Sequence, residues 1–252
     1  MNAEMIRYFV DHITAYPPCK VVQSSVWLPL HLIMNRKGFQ GSLIGIAALL
    51  TFLAACNNAA PPPEKDIAAT PEELDKKVME LLQVSVNYAV GNEGKLDDST
   101  RLNNTALVQR VYEGNGYTPL WSHLDQWKPL GDSMLRFIDQ ARLYGLFPED
   151  YHFPELDRIN KRFAADTAAK GDREDAVLWS RADLLLTDAF MRAVKDLKLG
   201  RLPTDSITMR KDSVLTDEFY QQQLQALLQQ PSLGSLFQTL EPTHEGYHLL
   251  KK

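Results

Sequence analysis

A run of apolar residues at helical spacing between Glu174 and Leu199 is the feature that most constrains what this chain can fold into. Six apolar residues of this run fall on one face of the predicted helix: Leu178, Ala182, Leu185, Ala189, Ala193 and Leu197. Four polar residues are predicted to lie outside that face: Arg181, Asp188, Arg192 and Lys195. Gly200 is predicted to cap the helix and Pro203 to block its continuation. The sequence therefore predicts one long helix here.

Other segments also have helical spacing and few signals for strands. Thr70-Pro71-Glu72-Glu73 supplies an N-cap, a proline at the first helical position and acidic residues in the first turn, so a helix is predicted from there to about Gly91. Further helices are predicted over residues 104–113, 130–144, 216–230 and 231–240. Residues 117–122 are predicted to be an extended linker or an isolated strand, and residues 147–154 a proline-bounded loop. No alternating apolar segment is long enough for a sheet, so the predicted class is all-α, an irregular helical bundle.

Charge and cysteine content exclude several classes of function. The chain has 27 basic and 32 acidic residues among 252, a net charge of -5, and no basic stripe that would neutralise phosphates. We therefore expect no nucleic-acid partner, and we predict no cofactor. The two cysteines, Cys19 and Cys56, cannot make a disulfide framework, and no disulfide is expected.

The N-terminal part of the chain has the pattern of a secretion signal. Asn35-Arg36-Lys37 is followed by a short apolar run from Leu43 to Ala55, too short for a membrane-spanning helix of about 20 residues. Leu53-Ala54-Ala55-Cys56 resembles a bacterial lipobox, which predicts a lipoprotein signal peptide over residues 34–55 and lipidation at Cys56. The alternative is a buried N-terminal helix with an unreactive thiol.

The segments on either side of this signal are predicted to lie outside any folded domain. Residues 1–33 precede the charged region and are interpreted as a start-site extension, with a genuine extended leader as the alternative. Residues 56–69 are polar and proline-rich and are predicted to be a tether. The helical domain is then expected over residues 70–252.

Four stretches, taken in order, resemble the N-terminal scaffold region of the large periplasmic L,D-transpeptidases. They are Gly116 to Ser122, Leu143 to Tyr151, Arg181 to Phe190 with Gly200-Arg201, and Leu240-Glu241-Pro242 with Tyr247. The resemblance covers about residues 100 to 252. It implies a bacterial envelope protein facing the periplasm, with peptidoglycan as its partner. The lipobox-like residues add a membrane partner, through the lipid anchor expected at Cys56.

The resemblance also implies cysteine chemistry that this chain does not contain. In the family, a cysteine thiolate in a β-rich domain C-terminal to the scaffold attacks a stem peptide and crosslinks two meso-diaminopimelate residues. That domain carries a Ser-His-Gly-Cys signature, which is absent here, and no cysteine follows Cys56. We therefore expect a scaffold domain that ends before its catalytic domain, without catalytic residues of its own. The alternative is a non-enzymatic envelope lipoprotein that binds peptidoglycan or a partner enzyme.

One motif points to a different chemistry. His244-Glu245-Gly246-Tyr247-His248 is a literal H-E-x-x-H, which on a helix can hold zinc between two imidazoles with the glutamate as base. Gly246 weakens a helix by about 1 kcal/mol, and a third ligand would have to come from elsewhere. No metal site is therefore predicted, and a zinc hydrolase stays a minor alternative.

The remaining candidate residues are predicted to be structural or to form a surface. Tyr117, Trp121 and Tyr151 are candidates for a packing or glycan-contact surface, as are the 145–154 loop and the end of the long helix. Asp183 and Asp188 lie about 140° apart around a helix, so they are expected to make salt bridges or caps and not one joint site. Two further groups are predicted to have no catalytic role: Glu149-Asp150 as a solvated turn and Ser122-His123 as loop polarity. Tyr112 and Trp127 could join Tyr117 and Trp121 in a sugar-stacking platform, but core or packing roles are favoured for all four.

Overall fold

The computed structural model describes residues 59–168, 174–201 and 215–251. The start-site extension 1–33, the signal peptide 34–55 and the lipidation residue Cys56 lie outside the described residues. The described part contains eight α-helices: α1 Pro71–Gly91, α2 Thr105–Gly114, α3 Pro129–Asp139, α4 Phe153–Ala168, α5 Ala176–Leu199, α6 Asp217–Gln229, α7 Leu233–Leu240 and α8 Glu245–Leu250. Two 3-10 helices, Ala141–Tyr144 and Pro148–Tyr151, join α3 to α4. The all-α class is confirmed.

Helix α1 forms where its local sequence predicts it. The Thr70 side chain accepts a hydrogen bond from the Glu73 backbone N–H at 3.2 Å, and Glu73 in turn accepts one from the Ala69 N–H at 2.8 Å. The first bond satisfies an N–H that a helix start leaves without a partner, and the second ties the residue before the cap to the first turn. The apolar residues at helical spacing are buried: Leu74, Val78, Leu81, Leu82 and Val86.

Helix α5 is the centre of the fold. Helices α1, α2, α3, α4 and α7 and the second 3-10 helix all pack against it. Because elements surround it, α5 is buried on nearly every face, including polar residues such as Asp188. The prediction that Asp188 lies outside the apolar face was therefore wrong: periodicity marks one buried stripe, whereas a central helix is covered all round.

Two short antiparallel ladders accompany the helices. In β1 and β4, Ile67–Ala68 pairs with Glu174–Asp175, and in β2 and β3, Ser122–His123 pairs with Gln126–Trp127. Asp66 extends the first ladder, because its N–H donates to the Asp175 carboxylate and its carbonyl accepts from the Ala176 N–H. Asp66 is therefore bound to the folded part, four residues before the predicted start of the helical domain at residue 70.

The region between α3 and α5 differs most from expectation. The helix predicted over residues 130–144 ends at Asp139 and gives way to a 3-10 turn, so that Leu143 is 62% exposed. The predicted loop 147–154 contains the second 3-10 helix and then the start of α4, a 16-residue helix that was not predicted. Within the described residues, no helix is both long and apolar enough to cross a membrane.

Candidate functional site

Three aspartates of α5 are buried: Asp183, Asp188 and Asp196. A buried carboxylate is costly unless other groups donate hydrogen bonds to it. Each of these carboxylates has such donors, and together the donors come from three segments: residues 103–104, residues 112–122 and the 145–154 loop. The three aspartates therefore fix three segments onto one helix.

Asp183 binds the segment that follows α2. Its carboxylate accepts from the Tyr112 hydroxyl at 2.6 Å, the Leu120 N–H at 2.9 Å and the Trp121 N–H at 3.0 Å. The Ser122 hydroxyl is a fourth donor, at 3.3 Å. Burial raises the pKa of Asp183 above its ordinary value, although the Tyr112 hydroxyl and the backbone donors act in the opposite direction. Ser122 is thus a structural ligand of this carboxylate, not part of a catalytic triad.

Trp121 belongs to this buried frame. Its indole N–H donates to the Thr187 hydroxyl at 2.9 Å, and its ring lies 6.0 Å from that of Phe190. With 1% of its surface exposed, Trp121 cannot stack on a glycan in this conformation. Trp121 was suggested as a packing or a glycan-contact residue, and in the structure it is a packing residue of the core.

Asp188 holds the start of α2 and the turn before α4. It accepts from the backbone N–H groups of Asn103 and Asn104, at 3.1 and 2.6 Å, and from His152 Nε2 at 2.6 Å. Burial favours the neutral acid, but the His152 bond and charge and the two backbone donors outweigh it and lower the pKa of Asp188. Asp183 and Asp188 thus face different segments and do not form one site.

Asp196 and Arg192 hold the 145–154 loop. The Tyr151 hydroxyl donates to Asp196 at 2.8 Å, and Arg192 bridges Asp196 and Asp150. Burial and the Asp196 charge raise the pKa of Tyr151 well above its ordinary value. Arg201, just after α5, also pairs with Asp150 at 2.5 Å. This loop therefore packs against the C-terminal end of α5.

The three candidate surface aromatics do not form one exposed surface. Tyr151 is fully buried, as is Trp121, and only Tyr117 is half-buried. Tyr117 stands in the left-handed region with φ 59° and bonds to the Tyr112 carbonyl. A glycan-contact surface composed of these three residues is therefore not present.

The H-E-x-x-H motif does not have the geometry of a helical zinc site. His244 is the N-cap of α8, with φ -69° and ψ 129°, and its Nδ1 accepts from the Gly246 N–H at 3.0 Å. It therefore stands outside the helical turn that carries His248. In the described parts of the chain, no three His, Cys, Asp or Glu side chains form a group able to hold a metal ion.

A cleft of about 460 Å³ opens between the β2–β3 hairpin, α3, α4 and the start of α5. Its floor contains three aromatic rings, those of Trp127, Phe163 and Trp179. Phe163 stacks on Trp179 with centroids 4.0 Å apart, and Trp127 lies 5.0 Å from Trp179 at an angle of 54°. Trp179 and Phe163 are nearly covered, whereas Trp127 is half-buried.

The indole N–H groups of this floor are bound by two polar residues of the cleft. Trp127 donates to the Asn160 side-chain oxygen at 3.1 Å, and Trp179 donates to a Glu174 carboxylate oxygen at 3.3 Å. Burial raises the pKa of Glu174, as do the nearby charges of Asp166 and Asp125, although the Trp179 bond opposes them. Three more polar residues line the cleft: Asp125, Gln126 and Asp132.

Most of this cleft was missed from the sequence because α4 was not predicted. Leu156, Ile159 and Phe163 follow Pro154 at spacings of three and four residues, which is a helical signal. Trp179 was assigned to no face of the long helix, and Trp127 was interpreted as a packing residue. Residues 147–154 were predicted to be a proline-bounded loop, so the start of α4 at Phe153 was not recognised.

Comparison with known families gives one result. The family model of the Scaffold domain matches residues 106–252, from α2 to the last described helix and beyond. No curated protein and no solved structure matches the chain. The match covers more than half of the 252 residues. The chain therefore belongs to the Scaffold domain family.

Proposed function

We propose that this protein is the scaffold module of an L,D-transpeptidase that crosslinks peptidoglycan. The observation that carries the proposal is the Scaffold domain match over residues 106–252. The segments that resemble the transpeptidase scaffold support it, because two of them are bound directly to the third. Residues 116–122 bind Asp183, and Asp150 of residues 143–151 pairs with Arg201. These contacts hold the resembling segments together in one arrangement, which is consistent with a module that positions other domains.

The role we propose is positional and not chemical. No cysteine lies among residues 57–252, so the attacking thiolate would lie outside this helical body. The buried carboxylates have their oxygens engaged by the fold, which leaves them unsuited to proton transfer with a substrate. The helical body would hold the catalytic unit and present the peptidoglycan to it.

The same proposal places the protein in the bacterial envelope, facing the periplasm and anchored through a lipid on Cys56. The lipobox-like Leu53-Ala54-Ala55-Cys56 supports this location. A polar, proline-rich tether would separate the anchor from the folded body.

Deletion of the gene in its own bacterium, followed by muropeptide analysis, tests the transpeptidase role. We expect fewer crosslinks between two diaminopimelate residues, restored by the wild-type gene and by the exposed-site control Asp98→Asn. Asp183→Ala, which removes the acceptor that holds residues 120–122, should fail to restore them at comparable protein levels. Unchanged crosslinks after deletion would overturn the proposal.

A further inference from the structure

The aromatic cleft combines concavity with polar groups in a way that indicates a ligand class. Its volume of about 460 Å³ falls within the range of about 300 to 1,000 Å³ that small-molecule sites occupy. Five of its nine lining residues are polar or charged, so it is more polar than most such sites and favours a ligand rich in hydrogen-bonding groups. The exposed part of the floor is the Trp127 ring, since Phe163 and Trp179 largely cover each other.

The polar groups offer both donors and acceptors. Because the Trp127 N–H must bind the oxygen of the Asn160 amide, the Asn160 NH₂ group is left to donate. Gln126 supplies a second amide, and Asp125 and Asp132 supply acceptor oxygens. Within the described residues, the side chains of Gln126, Asp125 and Asp132 have no hydrogen-bond or ion-pair partner.

This combination discriminates among ligand charges. No lysine or arginine of the described chain lines the cleft, whereas three carboxylates do, so an anionic ligand would find no opposite charge and three like charges. An ammonium ion has donors but no acceptor, and therefore has no use for the two amide NH₂ groups. A hydroxyl or acetamido group both donates and accepts and matches the whole set.

We propose that this cleft binds a neutral sugar ring bearing hydroxyl and acetamido groups, placed against the Trp127 ring. The carboxylates of Asp125 and Asp132 accept from sugar hydroxyls, and the amides of Gln126 and Asn160 donate to hydroxyl or acetamido oxygens. The proposal deepens the proposed function and rests on it for the natural source of the ring, the glycan strands of peptidoglycan.

The test is a titration of the ¹⁵N-labelled full chain with tetra-N-acetylchitotetraose, followed by the tryptophan indole N–H resonances. We expect the resonances of Trp127 and Trp179 to shift and that of Trp121 to stay, because the Trp121 indole is buried against Thr187 away from the cleft lining. Single Trp→Phe variants assign the resonances. Shifts confined to Trp121, or no shift at millimolar sugar, would overturn the proposal.

Variants at the cleft rim test the assigned contacts without disturbing the core. Gln126→Ala and Asp132→Asn change exposed residues, and each should weaken sugar binding about three- to tenfold, the effect of one lost hydrogen bond. Gln222→Ala and Asp98→Asn alter exposed residues outside the cleft lining and should leave the affinity unchanged. Equal affinity in all four variants would contradict the site.

Competing probes separate the ligand classes. n-Butylammonium and glucuronate should each shift the two cleft resonances less than the neutral sugar does; a larger shift with n-butylammonium would reassign the cleft to organic cations. Sugar binding with unchanged crosslinks after gene deletion would keep this site and overturn the transpeptidase role. Reduced crosslinks after gene deletion, without sugar binding, would keep the transpeptidase role and overturn the proposed sugar site.

Discussion

The hydroxyl group of Tyr112 lies 2.6 Å from Oδ1 of Asp183 and joins α2 to the centre of α5 across 71 residues of sequence. The same hydroxyl lies 2.8 Å from Oγ1 of Thr187, which also accepts the Trp121 indole N–H. All four residues are buried. Their polar groups form a closed network inside the core, of the kind that fixes one arrangement of the surrounding elements.

Removal of the Asp183 carboxylate should be strongly destabilising. Asp183→Ala leaves the backbone N–H groups of Leu120 and Trp121 buried without an acceptor, so we expect the free energy of unfolding to fall by about 3 kcal/mol or more. Tyr112→Phe removes one donor and keeps the others, and should cost about 1 to 3 kcal/mol. Urea unfolding followed by circular dichroism measures both, with exposed Asp98→Ala expected to change stability by less than about 0.5 kcal/mol. A loss for Asp183→Ala no larger than the control's would show that the network does not stabilise the fold.

The Asp188 carboxylate should make stability sensitive to acid. Its pKa in the folded protein is lowered, so the ionised form favours folding, and its contribution is fully present above the ordinary aspartate pKa of about 3.9. That contribution is lost as the pH falls through the lowered pKa of the folded state. The pKa of Asp183 is raised, which gives the opposite sign: its ionisation weakens the folded state as the pH rises through that region.

Comparison of variants separates these two effects. Unfolding free energies measured from pH 6 to pH 2.5 should fall less steeply for Asp188→Asn than for the wild type below pH 4. His152→Gln, which removes the partner of Asp188 at 2.6 Å, should change the slope in the same direction. Slopes identical to that of the wild type in both variants would contradict the assigned shift.

Two helical glycines should respond oppositely to an added methyl group. At Gly131 in α3, a Cβ would overlap the carbonyl oxygen of Trp121 and lie 3.1 Å from the Trp127 ring, so Gly131→Ala should lower the melting temperature. At Gly234 in α7, a Cβ meets nothing within 4 Å, and Gly234→Ala should stabilise by about 0.5 to 1 kcal/mol through helix propensity. Differential scanning calorimetry compares them. A stable Gly131→Ala protein would show that α3 can move away from the Trp121 backbone at little cost.

Lipidation predicts a change in mass and in membrane association. In a bacterial host, labelled palmitate should enter the wild-type protein and should not enter Cys56→Ser. The wild type should sediment with membranes after high-salt washing, because the acyl chains bind through apolar burial and not through charge. Labelling that persists in Cys56→Ser would place the lipid elsewhere or refute the lipobox assignment.

Local sequence signals predicted those parts of the fold that local interactions determine. The Thr70 cap and the spacing from Leu74 to Val86 were sufficient for α1, because a helix start and one buried stripe are properties of neighbouring residues. The C-terminal end of α5 was likewise marked by Gly200, which has φ 87° there. The all-α class followed from the helices predicted in this way.

Partners distant in sequence determined the rest. Asp188 has the sequence context of an exposed helical residue, but elements packed around α5 bury it, and Asn103, Asn104 and His152 donate to it. The burial of Trp121 depends on a hydroxyl 66 residues away. The candidate cleft forms between the β2–β3 hairpin, α3, α4 and α5. Because α4 was not predicted and the four elements are separate in sequence, no single segment could predict the cleft.

The position of three buried carboxylates on one helix affects how the protein unfolds. Asp183, Asp188 and Asp196 each accept hydrogen bonds from residues that lie far away in the sequence. A slip of α5 by a single residue would turn each carboxylate by about 100° and release all three segments together. Unfolding of one segment alone is therefore unfavourable, and the helical body should unfold in a single all-or-none transition.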